Sequence, residues 1–233
     1  MNAFIITGTS SGIGLELAKL LLQDENNRVI GISRSNTIEH SNFKYISLDL
    51  NDVADIEGIE FPKWENATQI SLVHNAGWVG PMQKMGNQEM GAIAASYLIN
   101  LVAPAILSNH FIDSYKESKA QKVILSISSG AAHAPVAGWN TYCSAKAGLD
   151  MLSKCISEEH KEIISLSIAP GKVDTPMQND IRFADENEFP RLKEFQDYHK
   201  NGELTKVTEV AEKYVTVLAN PTKHKNTTRI SEL

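Results

Sequence analysis

Short runs of apolar and β-branched residues alternate with longer stretches of helical character along the whole chain of 233 residues. We predict strands at residues 3–7, 28–33, 43–47, 69–74, 122–128 and 163–168. We predict helices at residues 13–24, 87–114, 140–160 and 207–219. Several strands are apolar almost throughout, as in Val123-Ile124-Leu125, which is typical of strands covered by helices on both faces. The alternation therefore predicts an α/β fold with one doubly wound parallel sheet and right-handed crossovers.

No repeat, proline-rich linker or low-complexity tract interrupts this alternation. We therefore expect a single domain that spans residues 1–233. Residues 178–206 are more polar and more highly charged than the rest of the chain, and we interpret them as a surface insertion. The composition agrees with a globular domain, since 42% of the residues are hydrophobic and 21% are charged, which excludes disordered and fibrous classes.

Charge and cysteine content limit the possible partners. The formal net charge is −6 and the sequence has no basic stripe, so we expect neither nucleic acid nor an anionic membrane as a partner. The two cysteines, Cys143 and Cys155, lie in one predicted helix, which excludes a disulfide scaffold and a cysteine-ligated zinc site. No set of His, Asp or Glu residues has the spacing of metal ligands, so we expect no metal.

Neither a leader segment nor a membrane span is expected. The first predicted strand begins at Ala3 with no basic segment before it. The most apolar stretch, residues 92–107, contains Ser96, Asn100 and Pro104. We expect this stretch to be too short and too interrupted to cross a bilayer. Together with the low cysteine content, these features predict a cytoplasmic protein.

A glycine-rich turn, Thr7-Gly8-Thr9-Ser10-Ser11-Gly12-Ile13-Gly14, joins the first predicted strand to the first helix. Glycines let the main chain turn tightly and let a phosphate approach it, and the free N–H groups at a helix start attract an anion. A Walker-type loop would need Gly-Lys-Ser/Thr, so we do not expect nucleoside triphosphate hydrolysis. A plain tight turn is the alternative, but the position of the turn favours dinucleotide binding. The candidate contacts are Gly8, Ser10, Ser11, Gly12, Ile13 and Gly14.

Ser33 and Arg34 lie at the end of the second predicted strand. The residue that contacts the adenosine ribose lies about 20 residues after the last glycine of the turn, which is the position of Arg34. An acidic residue there would bind the ribose 2′-hydroxyl of NAD, whereas a guanidinium pairs well with the 2′-phosphate of NADP. Ser33 is small enough to leave room for that phosphate. We therefore predict NADP(H) as the cofactor, with a solvated loop cation as the alternative interpretation of Arg34.

Tyr142 and Lys146 lie four residues apart in a predicted helix, a spacing that puts both side chains on one face. A tyrosine hydroxyl titrates near pH ~10 and is a poor acid or base at neutral pH. We expect the Lys146 ammonium to stabilise the phenolate and to lower the pKa of Tyr142. Ser129 comes directly after the fifth predicted strand, where a hydroxyl can hydrogen-bond a substrate oxygen. Taken alone, Tyr-x-x-x-Lys is also common on solvated helix faces.

Pro104 lies four residues after Asn100. Because proline has no N–H, the Asn100 carbonyl loses its helical partner and must find water or another donor. This relation predicts a water at Asn100 within reach of the Lys146 ammonium. It also predicts a proton path from Tyr142 through the cofactor ribose, Lys146 and that water. A simple helix kink at Pro104 is the alternative.

Taken in order, these motifs resemble those of the short-chain dehydrogenase/reductase family from end to end of the chain. The matching segments are Thr7-Gly8-x-x-x-Gly12-Ile13-Gly14, Asp49-Leu50, Asn75-Ala76-Gly77, Asn100, Ser129, Tyr142-x-x-x-Lys146 and Pro170-Gly171-x-Val173-x-Thr175. The resemblance implies a single-domain Rossmann-type fold and a nicotinamide cofactor. It also implies a homodimer or homotetramer, with an interface formed by the surplus of small and apolar residues in helices 87–114 and 140–160.

The resemblance also implies roles for individual residues. In that family the tyrosine is the general acid/base, the serine steadies the carbonyl, the lysine binds the nicotinamide ribose and the asparagine holds a relay water. The corresponding catalytic residues are Tyr142, Ser129, Lys146 and Asn100. By the same resemblance, Asp49 and Leu50 lie along the adenine, Asn75, Ala76 and Gly77 lie beside the adenosine ribose, and Pro170, Gly171, Val173 and Thr175 contact the nicotinamide side.

The second half of the chain is similar to the sepiapterin reductase and benzil reductase branch, in residues 170–178 and 202–204. This likeness implies an NADPH-dependent carbonyl reductase that transfers hydride to a small ketone or vicinal dicarbonyl. Residues 174–206 would then form a substrate flap, and Ser129 and Tyr142 would contact the substrate. Trp139 lies in a predicted loop at the carboxyl edge of the sheet, where it either contacts the substrate or packs in the core or against the flap. Residues 223–228 lack the Ser-Gly pair of the family's last strand, so no pterin-anchoring carboxylate is carried over.

Two alternatives stay open at this point. The first is an NAD-linked alcohol dehydrogenase of the same family, which Arg34 opposes. The second is a non-catalytic NADP(H)-sensing regulatory protein, which is opposed by the presence of every catalytic residue.

Overall fold

In residues 1–232, which a computed structural model describes, seven strands form one parallel sheet. The strands are β1 (Asn2–Thr7), β2 (Asn27–Ser33), β3 (Phe43–Ser47), β4 (Gln69–His74), β5 (Gln121–Ile127), β6 (Ile163–Ala169) and β7 (Thr228–Arg229). Their order is β3-β2-β1-β4-β5-β6-β7, and every neighbouring pair is parallel. The predicted fold class is confirmed, and each of the first six strands begins and ends within one residue of its predicted bounds.

Helices connect these strands across both faces. The α-helices are α1 (Gly12–Leu21), α2 (Val53–Glu57), α3 (Met90–Tyr97), α4 (Ala103–Ser114), α5 (Asn140–Glu159), α6 (Pro176–Arg182), α7 (Leu192–Lys200) and α8 (Val207–Ala219). A π-helical segment, Leu98–Val102, joins α3 to α4. The predicted helices correspond to α1, to the run from α3 to α4, to α5 and to α8. In contrast, α7 lies inside the polar segment that we interpreted as a surface insertion, and α6 begins two residues before that segment.

Apolar side chains cover both faces of the sheet. Along β1, Phe4 and Ile6 belong to one core cluster with side chains of α1 and α8. Ala3 and Ile5 belong to a second cluster with side chains of α4. They alternate because successive side chains of a strand point to opposite faces. This burial on two sides accounts for strands that are apolar throughout.

The helix changes its hydrogen-bond pattern just before Pro104. The Ala103 N–H donates to the Leu98 carbonyl, five residues earlier, as in a π-helix. Because Pro104 offers no N–H to the Asn100 carbonyl, the regular α-helical pairing is interrupted at this point. The helix accommodates the interruption by widening over Leu98–Val102 and then continues as α4.

This continuity corrects one expectation. Met90–Ser114 is a helical span of 25 residues with a mean hydropathy of 1.8, and by length and composition it could cross a membrane. The expectation that the stretch is too short and too interrupted is therefore wrong, because the π segment carries the helix past Pro104. Leu107 and Phe111 pack on the sheet, yet only 28% of the most apolar window is buried within the chain. The rest of this apolar surface is not covered by the described part of the chain.

The order of the strands reverses between β1 and β4, whose carboxyl ends lie side by side. Asn75, just after β4, donates from Nδ2 to the carbonyls of Thr7 at 2.9 Å and Gly8 at 3.0 Å. The Thr7 hydroxyl in turn accepts from the backbone N–H groups of Asn75 at 3.1 Å and Ala76 at 3.0 Å. These four hydrogen bonds fix the crevice in which open α/β sheets bind their ligands.

Residues 174–206 are anchored at their base and packed along their length. Val173 and Thr205 form an isolated parallel bridge, beside which the Asp174 N–H donates to the Thr205 carbonyl at 2.9 Å. Phe189 and Phe195 from this segment are buried and belong to a third apolar cluster. The segment therefore adds an apolar layer to the domain, and its use as a substrate flap stays a prediction.

Replacing Gly14 by alanine should destabilise the fold. A Cβ at Gly14 would overlap the Gly8 carbonyl oxygen and the Asn75 side-chain amide, which hold β1 to β4. We expect the free energy of unfolding to fall by about 1–3 kcal/mol, the usual cost of overpacking, as measured by urea denaturation. Gly91→Ala is the control, because a Cβ at Gly91 has nothing within 4 Å. Equal stability of the two variants would contradict this account of the turn.

Candidate active site

The first turn of α5 places Tyr142 in the protein interior. The side chain is buried, and its ring packs edge-on against Trp139 with the ring centroids 5.6 Å apart. Ser129, just after β5, lies beside the Tyr142 hydroxyl, and its Oγ accepts from the Ala131 N–H at 3.2 Å. Burial raises the pKa of Tyr142 to about 12, and the nearby Ser129 hydroxyl opposes this rise. The phenol therefore keeps its proton at neutral pH and is available as a proton donor.

Lys146 lies one turn after Tyr142 and is only 3% exposed. Its Nζ donates to the Ile127 carbonyl at 2.9 Å and lies 5.8 Å from the centroid of the Tyr142 ring. Burial lowers the pKa of Lys146 to about 8, while the negative charge of Asp150 acts to raise it. The expectation that Lys146 lowers the pKa of Tyr142 is wrong for the free chain, because burial of the phenol dominates its titration.

Asn100 holds the loop that follows β4. Its Nδ2 donates to the carbonyls of Trp78 at 2.7 Å and Ser96 at 2.8 Å, and its Oδ1 accepts from the Trp78 N–H at 3.1 Å. A Cβ on Gly77 would lie 3.1 Å from Asn100 Oδ1 and 3.5 Å from Lys146 Nζ. The structure thus brings Asn100 and Lys146 to the same glycine, while the relay water stays a prediction.

A buried carboxylate that the sequence reasoning missed lies behind Lys146. Asp150 is 4% exposed, and its Oδ1 accepts from the hydroxyls of Ser128 at 2.5 Å and Ser167 at 2.6 Å. Its Oδ2 lies 3.5 Å from His133 Nε2. A sequence signal was present, because Asp150 follows Lys146 by the same four residues that separate the Tyr-Lys pair. That spacing does not reveal that the helix face is buried.

The start of α1 is free to bind an anion. Ser11 occupies the N-cap position without a side-chain hydrogen bond to the first amides, and the first turn carries no acidic residue. Gly8 and Gly12 have φ angles of 75° and 57°, which favour glycine. Uncapped amides beside the reversal of strand order fit the pyrophosphate of a dinucleotide. Ser10 lies in the same turn. The Ile13 side chain faces the core, so Ile13 can contact a phosphate only through its backbone N–H.

The end of β2 forms the neighbouring part of this crevice. Ser33 is buried, its Oγ donates to the Ser35 carbonyl at 2.7 Å, and it lies 3.3 Å from the Thr9 hydroxyl. Thr9, which the sequence reasoning missed, is fully buried and joins the glycine turn to β2. Arg34 is exposed and forms no ion pair with any residue of the described part of the chain. Its guanidinium is therefore available to a phosphate.

The remaining predicted cofactor contacts differ in their surroundings. The Asn75 amide is committed to the carbonyls of the glycine turn, so this side chain shapes the crevice. Asp49 is exposed and Leu50 is buried in the core. Thr175 lies over the glycine turn, with its Cγ2 3.6 Å from where a Cβ on Gly12 would be. Of the neighbouring predicted contacts, Pro170 is half-buried, Gly171 is exposed and Val173 is buried.

Aromatic side chains line one side of Tyr142. Trp139 stacks on Phe189 with centroids 5.1 Å apart and lies 5.2 Å from Phe195. Its buried indole N–H has no hydrogen-bond partner within residues 1–232. The two phenylalanines come from residues 174–206 and were missed, because their neighbours in sequence are mostly polar. These side chains therefore form a packed apolar layer beside the phenol.

Comparisons with known proteins agree with this geometry. The family model for short chain dehydrogenases matches residues 2–186. The chain is 38% identical over 228 residues to benzil reductase ((S)-benzoin forming) from Bacillus cereus, with 91% of each chain covered. It is 26% identical over 241 residues to sepiapterin reductase from Rattus norvegicus, which covers 94% of this chain and 91% of that protein. The crystal structure of the KRED1-Pglu enzyme superposes with a TM-score of 0.84 at 27% identity, covering 94% of this chain and 95% of that one.

These matches confirm the predicted resemblance to the family and to its benzil and sepiapterin reductase branch. They also agree with a crevice at the reversal of strand order that fits a dinucleotide. The chain belongs to the short-chain dehydrogenase family, whose members are oxidoreductases that use nicotinamide cofactors.

Proposed function

We propose that the chain is an NADPH-dependent carbonyl reductase that transfers hydride to a small ketone or vicinal dicarbonyl. The observation that carries the proposal is the buried, protonated Tyr142, which lies beside Ser129 and one turn from the buried Lys146. These groups lie beside the aromatic side chains of Trp139 and Phe189. A proton donor next to an apolar wall suits an aromatic carbonyl substrate.

The named relatives support this substrate class. Benzil is a vicinal diketone with two phenyl rings, and its conversion to benzoin reduces one of the two carbonyl groups. The relative that forms (S)-benzoin matches this chain over 91% of its length. Residues 174–206, as a substrate flap, supply Phe189 and Phe195 to the aromatic wall. We therefore propose aromatic ketones and diketones as the first substrates to assay.

In the proposed mechanism, the chain positions the carbonyl and supplies its proton. Bound NADPH supplies the hydride that the carbonyl carbon receives. The Tyr142 hydroxyl donates its proton to the carbonyl oxygen, which Ser129 orients by a hydrogen bond. The phenolate left behind is stabilised by the Lys146 ammonium. A water at Asn100 would return a proton from solvent to Tyr142 by way of Lys146, and the product is a secondary alcohol.

The preference for NADP over NAD rests on Arg34. The glycine turn and the free start of α1 would hold the pyrophosphate, with the exposed guanidinium of Arg34 on the ribose 2′-phosphate. The buried Ser33 leaves space beside it. An NAD-linked alcohol dehydrogenase would need an acceptor for the 2′-hydroxyl at this position, and arginine is not one.

We also propose that the enzyme is a cytoplasmic homodimer or homotetramer. The surface of Met90–Ser114 that does not pack on the sheet is apolar, and Tyr97 hydrogen-bonds Ser144 of the adjoining α5 at 2.8 Å. The exposed face of α5 runs from Ser144 through Ala147 and Met151 to the charged Lys154. A charged side chain in line with the apolar surface favours a protein partner over lipid. A second copy would bury this surface by pairing it with itself.

Tyr142→Phe should remove the proton donor and leave the pocket intact. We expect kcat for benzil reduction to fall by about 10²- to 10⁴-fold, the usual contribution of a general acid, with the Kd for NADPH unchanged. Tyr115→Phe is the control, because it removes a hydroxyl bonded to the Pro62 carbonyl in another part of the chain. Substantial residual turnover in Tyr142→Phe would count against the acid role. No turnover by the unmodified chain with any ketone, despite tight NADPH binding, would favour the regulatory sensor.

Arg34→Asp should shift the cofactor preference toward NADH, because it replaces a cation that pairs with the 2′-phosphate by an acid that accepts from the 2′-hydroxyl. The measurement is the ratio of kcat/KM for NADPH to that for NADH. Lys119→Asp changes the net charge equally but lies before β5 at the opposite edge of the sheet, so its ratio should stay unchanged. An unaltered ratio in Arg34→Asp would remove Arg34 from the argument.

Light scattering after size exclusion, without detergent, should give the mass of a dimer or tetramer. Met151→Glu places a charge in the proposed interface and should yield monomers. Phe183→Glu introduces the same charge at a side chain that is 89% exposed in another part of the chain, and should leave the mass unchanged. A monomeric unmodified chain, or one that needs detergent to stay dispersed, would contradict the proposed interface.

A further inference from the structure

The buried face of α5 carries a carboxylate that the proposed mechanism does not use. Asp150 lies one turn beyond Lys146, and both residues are at least 96% buried. Two hydroxyl groups from neighbouring strand ends, those of Ser128 and Ser167, donate to the same carboxylate oxygen. These two hydroxyls supply hydrogen-bond partners to one oxygen of a buried carboxylate. The second oxygen, Oδ2, accepts no hydrogen bond within residues 1–232.

An isolated buried charge is costly, and two opposite buried charges on one helix face lower that cost for each other. The Lys146 ammonium donates one hydrogen bond to the Ile127 carbonyl, which is a neutral acceptor. Asp150 is the negative charge that acts on this ammonium. The carboxylate does not touch the ammonium, so it acts across the helix face rather than as a direct ion pair.

Other groups around the two charges do not supply the same effect. His74 of β4 is fully buried, and burial together with Lys146 lowers the pKa of His74 to about 3, so its ring is neutral. Its Nε2 forms a hydrogen bond with the Ser108 hydroxyl at 2.8 Å. From the segment after β5, His133 approaches Asp150 at 3.5 Å and is 40% exposed.

We propose that Asp150 is a positioning residue that keeps the Lys146 ammonium charged in the desolvated site, with Ser128 and Ser167 fixing the carboxylate. The inference rests on the proposed function, because a charged Lys146 is what stabilises the Tyr142 phenolate. Within the described residues, the hydrogen-bond and ion-pair partners of Asp150 are Ser128, Ser167 and His133, and Tyr142 is not among them. Asp150 acts on the reaction through Lys146 alone.

The first test measures the charge of Lys146 without any substrate. The chain is labelled with ¹³C at the lysine ε-carbons and titrated by NMR from about pH 6 to about pH 10.5. One signal should titrate near pH 8, the pKa to which burial lowers Lys146, and it should be missing in Lys146→Arg. In Asp150→Asn that signal should titrate lower by about one pH unit or more. An unshifted titration in a folded Asp150→Asn overturns the proposal.

Three variants separate charge from packing. Asp150→Glu keeps the charge, so its lysine signal should titrate close to that of the unmodified chain even if the melting temperature falls. Ser153→Ala perturbs the next turn of α5, where Ser153 contacts Ser165 and Asn226, without changing charge, and should leave the titration in place. His133→Gln should also leave it in place, which excludes His133 as the source. If Asp150→Glu folds but every neutral replacement fails to fold, the charge serves the fold alone and the proposal is overturned.

The pH profile of kcat/KM for benzil reduction gives a second, independent measure. Lys146 is charged below its pKa and loses its charge as the pH rises through that value, so activity should fall above about pH 8. In Asp150→Asn this alkaline limb should move to lower pH, with activity recovered under acidic conditions. A loss of equal size at every pH would mark a structural role and overturn the proposal. Absence of turnover in the unmodified chain would contradict the proposed function and leave the NMR result to decide the present inference.

Discussion

The site depends on an ammonium group that is held away from water. Lys146 is buried, its Nζ would lie 3.5 Å from a Cβ on Gly77, and it donates to a strand carbonyl rather than to solvent. Burial favours the neutral amine, and a neighbouring carboxylate favours the charged form. The same burial keeps Tyr142 protonated. A single desolvated region thus sets both charge states: the phenol holds a proton to give, and the cation lies one turn away.

The sheet is what brings these groups to one place. Reversal of the strand order between β1 and β4 leaves a gap at their carboxyl ends, and Asn75 bonds the two ends together. The loop after β4 is then held from the other side by Asn100, whose helix is loosened at that point by the missing N–H of Pro104. The backbone around the crevice is therefore fixed by side-chain amides, which make directional hydrogen bonds.

The sequence was sufficient for most of the fold and for naming several of the residues that the structure gathers at the candidate site, whose roles stay predictions. Strands buried on two faces are apolar throughout, so their positions and the parallel sheet follow from the residue pattern. The positions of the two-residue β7 and of helices α6 and α7 do not follow from the residue pattern, because these elements depend on packing. Phe189 and Phe195, for example, meet Trp139 only in the folded chain. The titration of Tyr142 was misjudged for the same reason. Spacing shows that a lysine is near, whereas burial is a property of the whole structure.

The closed base of residues 174–206 has a consequence for how such enzymes diversify. Two backbone hydrogen bonds, from Asp174 to Thr205 and from Thr205 to Lys172, fix where the segment leaves and rejoins the domain. Backbone bonds are insensitive to side-chain identity, so mutations, insertions or a wholesale exchange of the intervening residues would leave both attachment points in place. In its proposed role as a substrate flap, the segment would thus vary which substrates are admitted while the residues beneath it stay unchanged.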